Sequence, residues 1–464
     1  MWLLTVISIP ARNVTNWPPS TARPDPSTLL RTEGLVEGCG VVRQAHHERI
    51  RLLAFLTGIG ITGLVLALLA LPVVAGDFED GRRFAASRDY TRALVSFKKA
   101  AEQGNVDAQF NLGVMYARGQ GVAQDEQQAV MWYRMAAEQG DVPAQAILGF
   151  MYLKGRGVPQ DDQQAASWYL KAAEKEHVEA QYSLGVMYAK GQGVAQDDRQ
   201  AMSWYLKAAE KEHPGAQFNL GVIYAKGRGV TQDEQQAAMW YRKAAEQGDV
   251  PAQAILGFIY LKGQGVAQDD RQAVSWYLKA AEKGHPWAQY NLGVMYAKGR
   301  EVAQDDQQAV MWYRKAAEQG YADAQYNLGV MYARGRGVAQ DEQQTVMWYR
   351  KAAEQGYADA QYNLGVMYAR GRGIVQDDQQ AVMWYRKAAE QGDADAQYNL
   401  GIRYADGKGV AQDYIEAHMW FSLASVGGEE RATKNRAIVE EKMTHEQIAE
   451  ARLRASAWMK TEQK

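Results

Sequence analysis

A segment of 36 residues repeats along most of this chain, and no other feature restricts the possible folds as strongly. The stretch 321–356 recurs at 357–392 with four changes, and nine tryptophans stand 36 residues apart. They are Trp132, Trp168, Trp204, Trp240, Trp276, Trp312, Trp348, Trp384 and Trp420. An uninterrupted period of this length is typical of a solenoid, in which each repeat buries its apolar face against its neighbours.

Each repeat contains signals for two helices. Around Trp132, apolar spacing predicts a first helix over about residues 106–118, which Gly119 ends. Asp125 is placed to cap a second helix, with Gln128 in the capping-box position. We therefore expect an all-α fold, a right-handed α-solenoid of stacked antiparallel helix pairs whose tryptophans and tyrosines form the core.

Composition excludes several classes of function. The formal net charge is −2, so the surface lacks the positive field that nucleic-acid binding requires. The single cysteine, Cys39, precedes the repeats, so neither a disulfide framework nor a cysteine metal site is available to them. Stability must come from packing.

The N-terminal segments suggest export. Residues 1–51 are expected to be disordered or a mis-called N-terminal extension, because they lack periodicity and are rich in proline. Residues 52–71 carry no charge and follow Arg49 and Arg51. We expect 52–75 to be either a signal peptide cleaved near Ala75 or a transmembrane anchor. Both alternatives place the repeats in the periplasm, because the arginines stay in the cytoplasm.

The rest of the chain divides into a repeat array and two ends. Residues 76–104 are predicted to form an N-terminal capping helix pair, 105–428 an array of nine repeats, and 429–464 C-terminal capping helices. In the last segment, Thr444 and Gln447 form a capping-box pattern. Its helix should present one apolar face, formed by Ile448, Ala451, Ala455 and Trp458.

The strings A-Q-Y-N-L-G-V-M-Y, G-x-G-V-x-Q-D and A-x-x-W-Y-R-K-A-A-E-Q-G resemble the Sel-one-like repeat, a relative of the tetratricopeptide repeat. The resemblance spans about Asp77 to the C-terminus. It implies an adaptor, because similar bacterial proteins act in envelope signalling, secretion and exopolysaccharide assembly.

Polar motifs within the repeats have structural explanations. Paired carboxylates such as Asp161 and Asp162 stand at helix starts, where capping explains them. The G-x-G loops lack the strand that a phosphate-binding loop needs. His177, His213 and His285 are expected to face solvent between helices. We therefore predict no catalytic residue, cofactor or metal.

The remaining signal lies on the first helix of each repeat. If the geometry follows tetratricopeptide-like arrays, aromatic and amide side chains there line an inner groove, and basic residues end the helices. The helix dipole accounts for the basic residues equally well. The predicted partner-binding residues are Tyr182, Phe218, Tyr290, Asn291, Tyr326, Asn327, Arg334, Tyr362, Asn363, Arg370, Tyr398 and Asn399.

These features together predict a non-catalytic scaffold that binds a protein partner in the cell envelope through its groove. The alternative is binding of an envelope polysaccharide or peptidoglycan by the same aromatic groove. Membrane contact is expected only through 52–71, if that segment is not cleaved.

Overall fold

The computed structural model describes residues 74–462, so the predictions for 1–51 and for 52–73 lie outside the described residues. The described part consists of helices joined by short loops, which confirms the all-α solenoid class. None of these helices has both the length and the apolar character needed to cross a membrane.

The helices form two compact units, with the boundary between Trp240 and Tyr241. In chain order they are α1 (Val74–Ala86), α2 (Tyr90–Glu102), α3 (Val106–Arg118), α4 (Glu126–Glu138), α5 (Val142–Lys154), α6 (Asp162–Glu174), α7 (Val178–Lys190), α8 (Asp198–Glu210), α9 (Pro214–Lys226), α10 (Glu234–Glu246), α11 (Val250–Lys262), α12 (Asp270–Glu282), α13 (Pro286–Lys298), α14 (Asp306–Glu318), α15 (Ala322–Arg334), α16 (Glu342–Glu354), α17 (Ala358–Arg370), α18 (Asp378–Ala389), α19 (Ala394–Asp406), α20 (Tyr414–Val426), α21 (Glu430–Glu440) and α22 (His445–Glu462).

The aspartates and glycines that were predicted to begin and end the helices lie at the observed helix ends. Asp341 caps α16, since its carboxylate accepts hydrogen bonds from the backbone N–H groups of Gln343 and Gln344, at 2.9 Å each. Gly335 ends α15 in the left-handed conformation, with φ 64°. A residue with a Cβ atom is strained in that conformation and glycine is not, which explains glycine at this point of the repeats.

Within a repeat, a small residue on the first helix faces a large one on the second. A Cβ atom added to Gly329 would lie 2.6 Å from the ring of Tyr349, so the two helices approach more closely than any larger residue permits. Trp348 and Tyr349 are only 5% and 6% exposed. The prediction that the aromatic ladders are core is confirmed.

Between repeats, the loop contacts the preceding second helix. Gly337 has φ 69°, and a Cβ there would lie 2.1 Å from the carbonyl oxygen of Asp306. Beside it, Arg336 pairs with Asp306 at 2.7 Å. Glu301 takes the place of this glycine in one loop, where its φ is also positive, at 52°.

The two ends of the described chain bury apolar faces against the adjacent repeats. In α1 and α2, the rings of Phe78 and Phe97 lie 5.8 Å apart. In α22, Ala451 and Ala455 are buried, and Trp458 lies edge-on to Trp420 at 5.3 Å. The predicted capping box joins Thr444 and Gln447 through two hydrogen bonds. The capping function of these helices stays a prediction.

Candidate partner-binding surface

The first helices of the second unit share a face that is only partly buried, which we call the groove face. In α15 it carries Asp323, Tyr326, Asn327, Val330 and Arg334, which are half-buried or exposed. The opposite side of the same helix is buried. The equivalent positions on α13, α17 and α19 continue this face.

The groove-face tyrosines Tyr290, Tyr326, Tyr362 and Tyr398 are half-buried. The ring of Tyr326 lies 5.0 Å from that of Tyr357 and 5.6 Å from that of Tyr349. Burial raises the pKa of Tyr290 to about 12. A ligand would therefore meet part of each ring, held in a fixed orientation by its neighbours.

The asparagines beside them connect consecutive repeats. The amide of Asn327 donates to the carbonyl of Asp323 at 2.8 Å, and its side chain also hydrogen-bonds with Tyr290 of the preceding repeat. Asn291, Asn363 and Asn399 make the same bond to the carbonyl four residues earlier. Part of the hydrogen-bonding capacity of this row is thus used for internal structure.

Two predicted groove residues, Tyr182 and Phe218, lie in the first unit, where the structure corrects their role. Their exposed fractions are 7% and 2%, so they pack in the core and present no ring to a ligand. Tyr182 is covered by His213, whose ring stacks on it at 4.4 Å. Gly215 also allows close approach, since a Cβ there would lie 3.2 Å from the Tyr182 ring.

Charges of opposite sign lie at the two ends of the groove-face helices α15 and α17. Arg334 and Arg370 are exposed at the C-terminal ends. Asp323 and Asp359 lie in the first turns of the same helices, and burial raises the pKa of Asp323 although a hydrogen bond from Tyr357 opposes the shift. The surface can therefore hold an extended chain by ring contacts, amide hydrogen bonds and charges along its edges.

The three histidines are helix caps, which corrects the prediction that they face solvent. In each, the ring Nδ1 accepts a hydrogen bond from the backbone N–H three residues later, at 3.2 Å for His177, 3.1 Å for His213 and 3.3 Å for His285. Burial lowers the pKa of His285 to about 4. Across residues 74–462, no cluster of three or more side chains could hold a metal ion.

The paired carboxylates also have partners within the fold. Asp161 caps α6 through the N–H of Gln164, as predicted. The second acid of such a pair bonds to the loop of the following repeat, as in Arg300 with Asp270 at 2.8 Å. The cap was predicted from the sequence. The inter-repeat bond was not, although a basic residue 30 positions after the acid indicates it.

A buried row of glutamines on the first helices was also not predicted from the sequence. Gln325 donates to the carbonyl of Ala317, at 3.0 Å, and accepts a hydrogen bond from Gln355 at 2.7 Å. The signal was present, because a glutamine is the fourth residue of every first helix from α3 to α19. These side chains tie adjacent helices together and lie away from the groove face.

Comparison with known proteins identifies the repeat. The Sel1 repeat profile matches ten segments, the first of which is the helix pair that was predicted as an N-terminal cap. They are residues 78–105, 106–141, 142–177, 178–213, 214–249, 250–285, 288–321, 322–357, 358–393 and 394–425. No curated protein matched the chain.

Two solved structures are more than one third identical to it over the matched residues. The c5321 protein, a protective antigen of uropathogenic Escherichia coli with an SLR fold, is 37% identical, with a TM-score of 0.60. The match covers 83% of this chain and 92% of that one. A Sel1 repeat protein from Oxalobacter formigenes is 36% identical over 65% of this chain and 88% of its own, with a TM-score of 0.54.

Proposed function

The chain belongs to the Sel1 repeat family, a fold typical of protein–protein interaction, and on that basis we propose that it is a non-catalytic scaffold of the bacterial cell envelope. Its partner is a protein that binds along the groove face of the second unit. The observation that carries this proposal is the groove face itself, where equivalent half-buried tyrosines recur on α13, α15, α17 and α19. Repetition of this kind suits an extended segment better than a compact small molecule.

Arg334 and Arg370 are the proposed binding residues with the greatest freedom to meet a partner, because both are exposed. The tyrosines beside them supply rigid contact area at a low entropy cost. The opposite face of the same helices is buried in the core, so a partner cannot reach it. A scaffold needs only such a surface on a stable array, without any reacting group.

The envelope location rests on the sequence of residues 52–75 and gains support from one relative. Both alternatives for that segment, a cleaved signal peptide and an anchor, deliver the repeats to the periplasm. The 37% identical c5321 protein is a protective antigen.

The alternative function is binding of an envelope polysaccharide or peptidoglycan. It is favoured by one observation, the alternation of tyrosine rings with asparagine and aspartate groups along the groove face. Rings can stack on sugars, and amides and carboxylates can accept their hydroxyl hydrogens. The internal hydrogen bonds of the asparagines count against it, since fewer polar groups remain for a glycan.

Crosslinking in intact cells tests the scaffold. A photoreactive residue in place of Arg370 should capture one protein in stoichiometric amount, whereas the same residue in place of Glu354, on the second helix α16, should not. The double variant Arg334→Glu with Arg370→Glu should lose the captured protein on co-purification. Equal crosslinking from both positions would contradict the proposal.

Chromatography on a glycan column distinguishes polysaccharide binding from the protein scaffold. Retention on an envelope polysaccharide that Tyr326→Ala and Tyr362→Ala abolish would establish glycan binding in place of the scaffold. Hydrolysis of that polysaccharide by independently purified preparations would overturn the non-catalytic assignment.

A further inference from the structure

The second helices of the second unit carry three exposed methionines at one repeated position. Met311, Met347 and Met383 each precede the core tryptophan of α14, α16 and α18, and their exposed fractions are 37%, 36% and 36%. Successive residues of a helix point about 100° apart, so these side chains lie beside the buried tryptophans but outside the core. We call the three side chains the methionine row.

Packing does not explain methionine at this position. On α12 the equivalent residue is Ser275, which is exposed, and the adjacent Trp276 is buried like the other tryptophans, at 8% exposure. A polar side chain therefore fits here without disturbing the core. Methionine is among the residues that are most often buried, so its presence on the surface of three successive second helices indicates a role outside packing.

Four other methionines in the repeats of this unit are buried. Met295, Met331 and Met367 on the first helices are 2%, 4% and 6% exposed. Met419 on α20 has the same repeat position as the methionine row, but it belongs to the C-terminal core and is 6% exposed. The unit therefore contains two sets of thioethers that differ in exposure and not in chemistry.

Small solutes can reach the methionine row. Met347 lines an open groove of about 500 Å³, together with the buried Val346 and the half-buried Ile374. A water molecule takes up about 30 Å³ in the liquid, and hydrogen peroxide has only one more oxygen atom. The groove therefore admits peroxide to the side chain of Met347.

The chemistry available to an exposed thioether is oxidation to a sulfoxide. The single cysteine, Cys39, precedes the repeats, so no thiol within residues 74–462 competes for the oxidant. A lone pair of the sulfur forms an S–O bond to one oxygen of hydrogen peroxide as the O–O bond breaks. The other oxygen leaves as hydroxide and takes the proton of the transferred oxygen, which gives a sulfoxide and water. The sulfur loses two electrons and the peroxide gains them.

We propose that the methionine row is a site of reversible oxidation by peroxides, which makes an apolar strip of the surface polar while the repeats stay folded. A methionine sulfoxide reductase with a dithiol reverses the change: the dithiol becomes a disulfide, the sulfoxide oxygen leaves as water and the thioether returns. Ser275 shows that a polar group is tolerated at this position. The inference is independent of the proposed scaffold function, because the row lies on the second helices and the groove face on the first.

The first experiment treats the purified full chain with hydrogen peroxide and follows each methionine by mass spectrometry of tryptic peptides. Cleavage after lysine and arginine places the row in three peptides of different sequence, 301–314, 337–350 and 373–386. Each should gain an oxygen atom about tenfold faster or more than the peptide 409–431, which contains Met419. Met419 is the matched control, since it shares the repeat position and is buried.

The second experiment measures what oxidation does to the surface and the fold. The oxidised chain should elute earlier from a hydrophobic-interaction column with unchanged circular dichroism, and methionine sulfoxide reductases with dithiothreitol should restore the original elution. The triple variant Met311→Leu, Met347→Leu and Met383→Leu keeps the strip apolar and forms no sulfoxide there. Peroxide should therefore shift its elution less than that of the wild type.

Oxidation of Met419 as fast as the methionine row would overturn the proposal, and this measurement on the wild type does not depend on any variant. Loss of helical signal while only the row is oxidised, or an elution that reductases do not restore, would also overturn it. An equal shift in the wild type and the leucine variant would show that the row is not the site of the change.

Discussion

At the scale of single residues, the buried glutamine row shows how one side chain completes the hydrogen bonding of another. Gln325 has its acceptor oxygen paired because a glutamine, Gln355, stands 30 residues later. In three repeats the residue 30 positions after the buried glutamine is a lysine, and the side-chain oxygen of that glutamine is buried without a hydrogen-bond partner. The three pairs are Gln145 with Lys175, Gln181 with Lys211, and Gln253 with Lys283.

We predict that Lys283→Gln stabilises the second unit by about 1 kcal/mol, because its amide can donate to the unpaired oxygen of Gln253. The lost bond from Lys283 to the carbonyl of Gly248 is exposed and contributes less. The reciprocal variant Gln319→Lys leaves Gln289 without its donor and should destabilise by about 1–3 kcal/mol. Urea unfolding measures both, and changes of the same sign would contradict the assignment.

The His285 cap leads to a second prediction at this scale, namely that the stability of the fold depends on pH. Its Nδ1 must stay unprotonated to accept the N–H of Ala288, and burial lowers its pKa to about 4 from an ordinary value near 6.5. The unfolded chain therefore binds the proton more readily. The stability that neutral His285 contributes is present above about pH 6.5 and is lost as the pH falls toward 4.

The measurement is the free energy of unfolding at pH 7 and pH 5, in the wild type and in His285→Asn. Asparagine can still cap the helix, as Asn105 does for α3 through a 2.8 Å bond to Ala108. The variant should lose about 1–2 kcal/mol less than the wild type between the two pH values. Other groups that titrate in this range contribute equally to the wild type and the variant. Equal losses of unfolding free energy in the two proteins would therefore show that His285 is not the titrating cap.

At the scale of helices, the sequence predicted the elements more completely than the surface they form. The first helix predicted for residues 106–118 is α3 as observed, because apolar spacing, capping side chains such as Asn105 and glycine ends are local signals. The exposure of a groove residue depends on the neighbouring repeat instead. Tyr182 and Tyr326 lie in the shared pattern A-Q-Y-x-L-G-V-M-Y, but His213 stacks over the first ring and the second stays half-buried.

Phe150 and Phe258 show the same dependence on the neighbouring repeat, because only the following first helix distinguishes the surroundings of the two rings. Phe150 is exposed, whereas Phe258 is half-buried with Trp287 5.7 Å from its ring. The residue that decides exposure lies 29 positions later, at Glu179 or Trp287, and nothing within α5 or α11 signals it. Sequence periodicity therefore identifies which positions can form a surface. Which of them are open depends on packing between repeats.

The loop between the two helices gives the prediction that belongs to this scale. Glu301 holds a positive φ where other loops have glycine, and its ion pair with Arg271 is largely exposed. Glu301→Gly should therefore stabilise the fold by about 1 kcal/mol. Gly337→Glu, the reciprocal change, should destabilise by more, because its Cβ would meet the Asp306 carbonyl at 2.1 Å. Thermal unfolding of both variants checks the pair, and stabilisation by Gly337→Glu would contradict this account.

At the scale of the whole molecule, repeat contacts are between neighbours, so stability is expected to be distributed along the chain. In an array of this kind each interface contributes separately, and a terminal repeat is supported from one side only. Helix α22 packs on α20, where Trp458 contacts Trp420. Trp420 is only 1% exposed, compared with 5–8% for the tryptophans of the internal repeats.

Trp458→Ala should therefore loosen the C-terminal end without unfolding the rest. Removing a half-buried indole that lies 5.3 Å from Trp420 should cost about 2 kcal/mol, and only interfaces next to α20 depend on it. Hydrogen exchange measured peptide by peptide should show faster exchange in α19–α22 and unchanged exchange in α3–α9. Leu453→Ala is the matched control, because Leu453 lies on the same helix but is 71% exposed. Faster exchange throughout both units would show that the repeats unfold as one cooperative body, and equal exchange in the two variants would show that α22 does not support the array through Trp458.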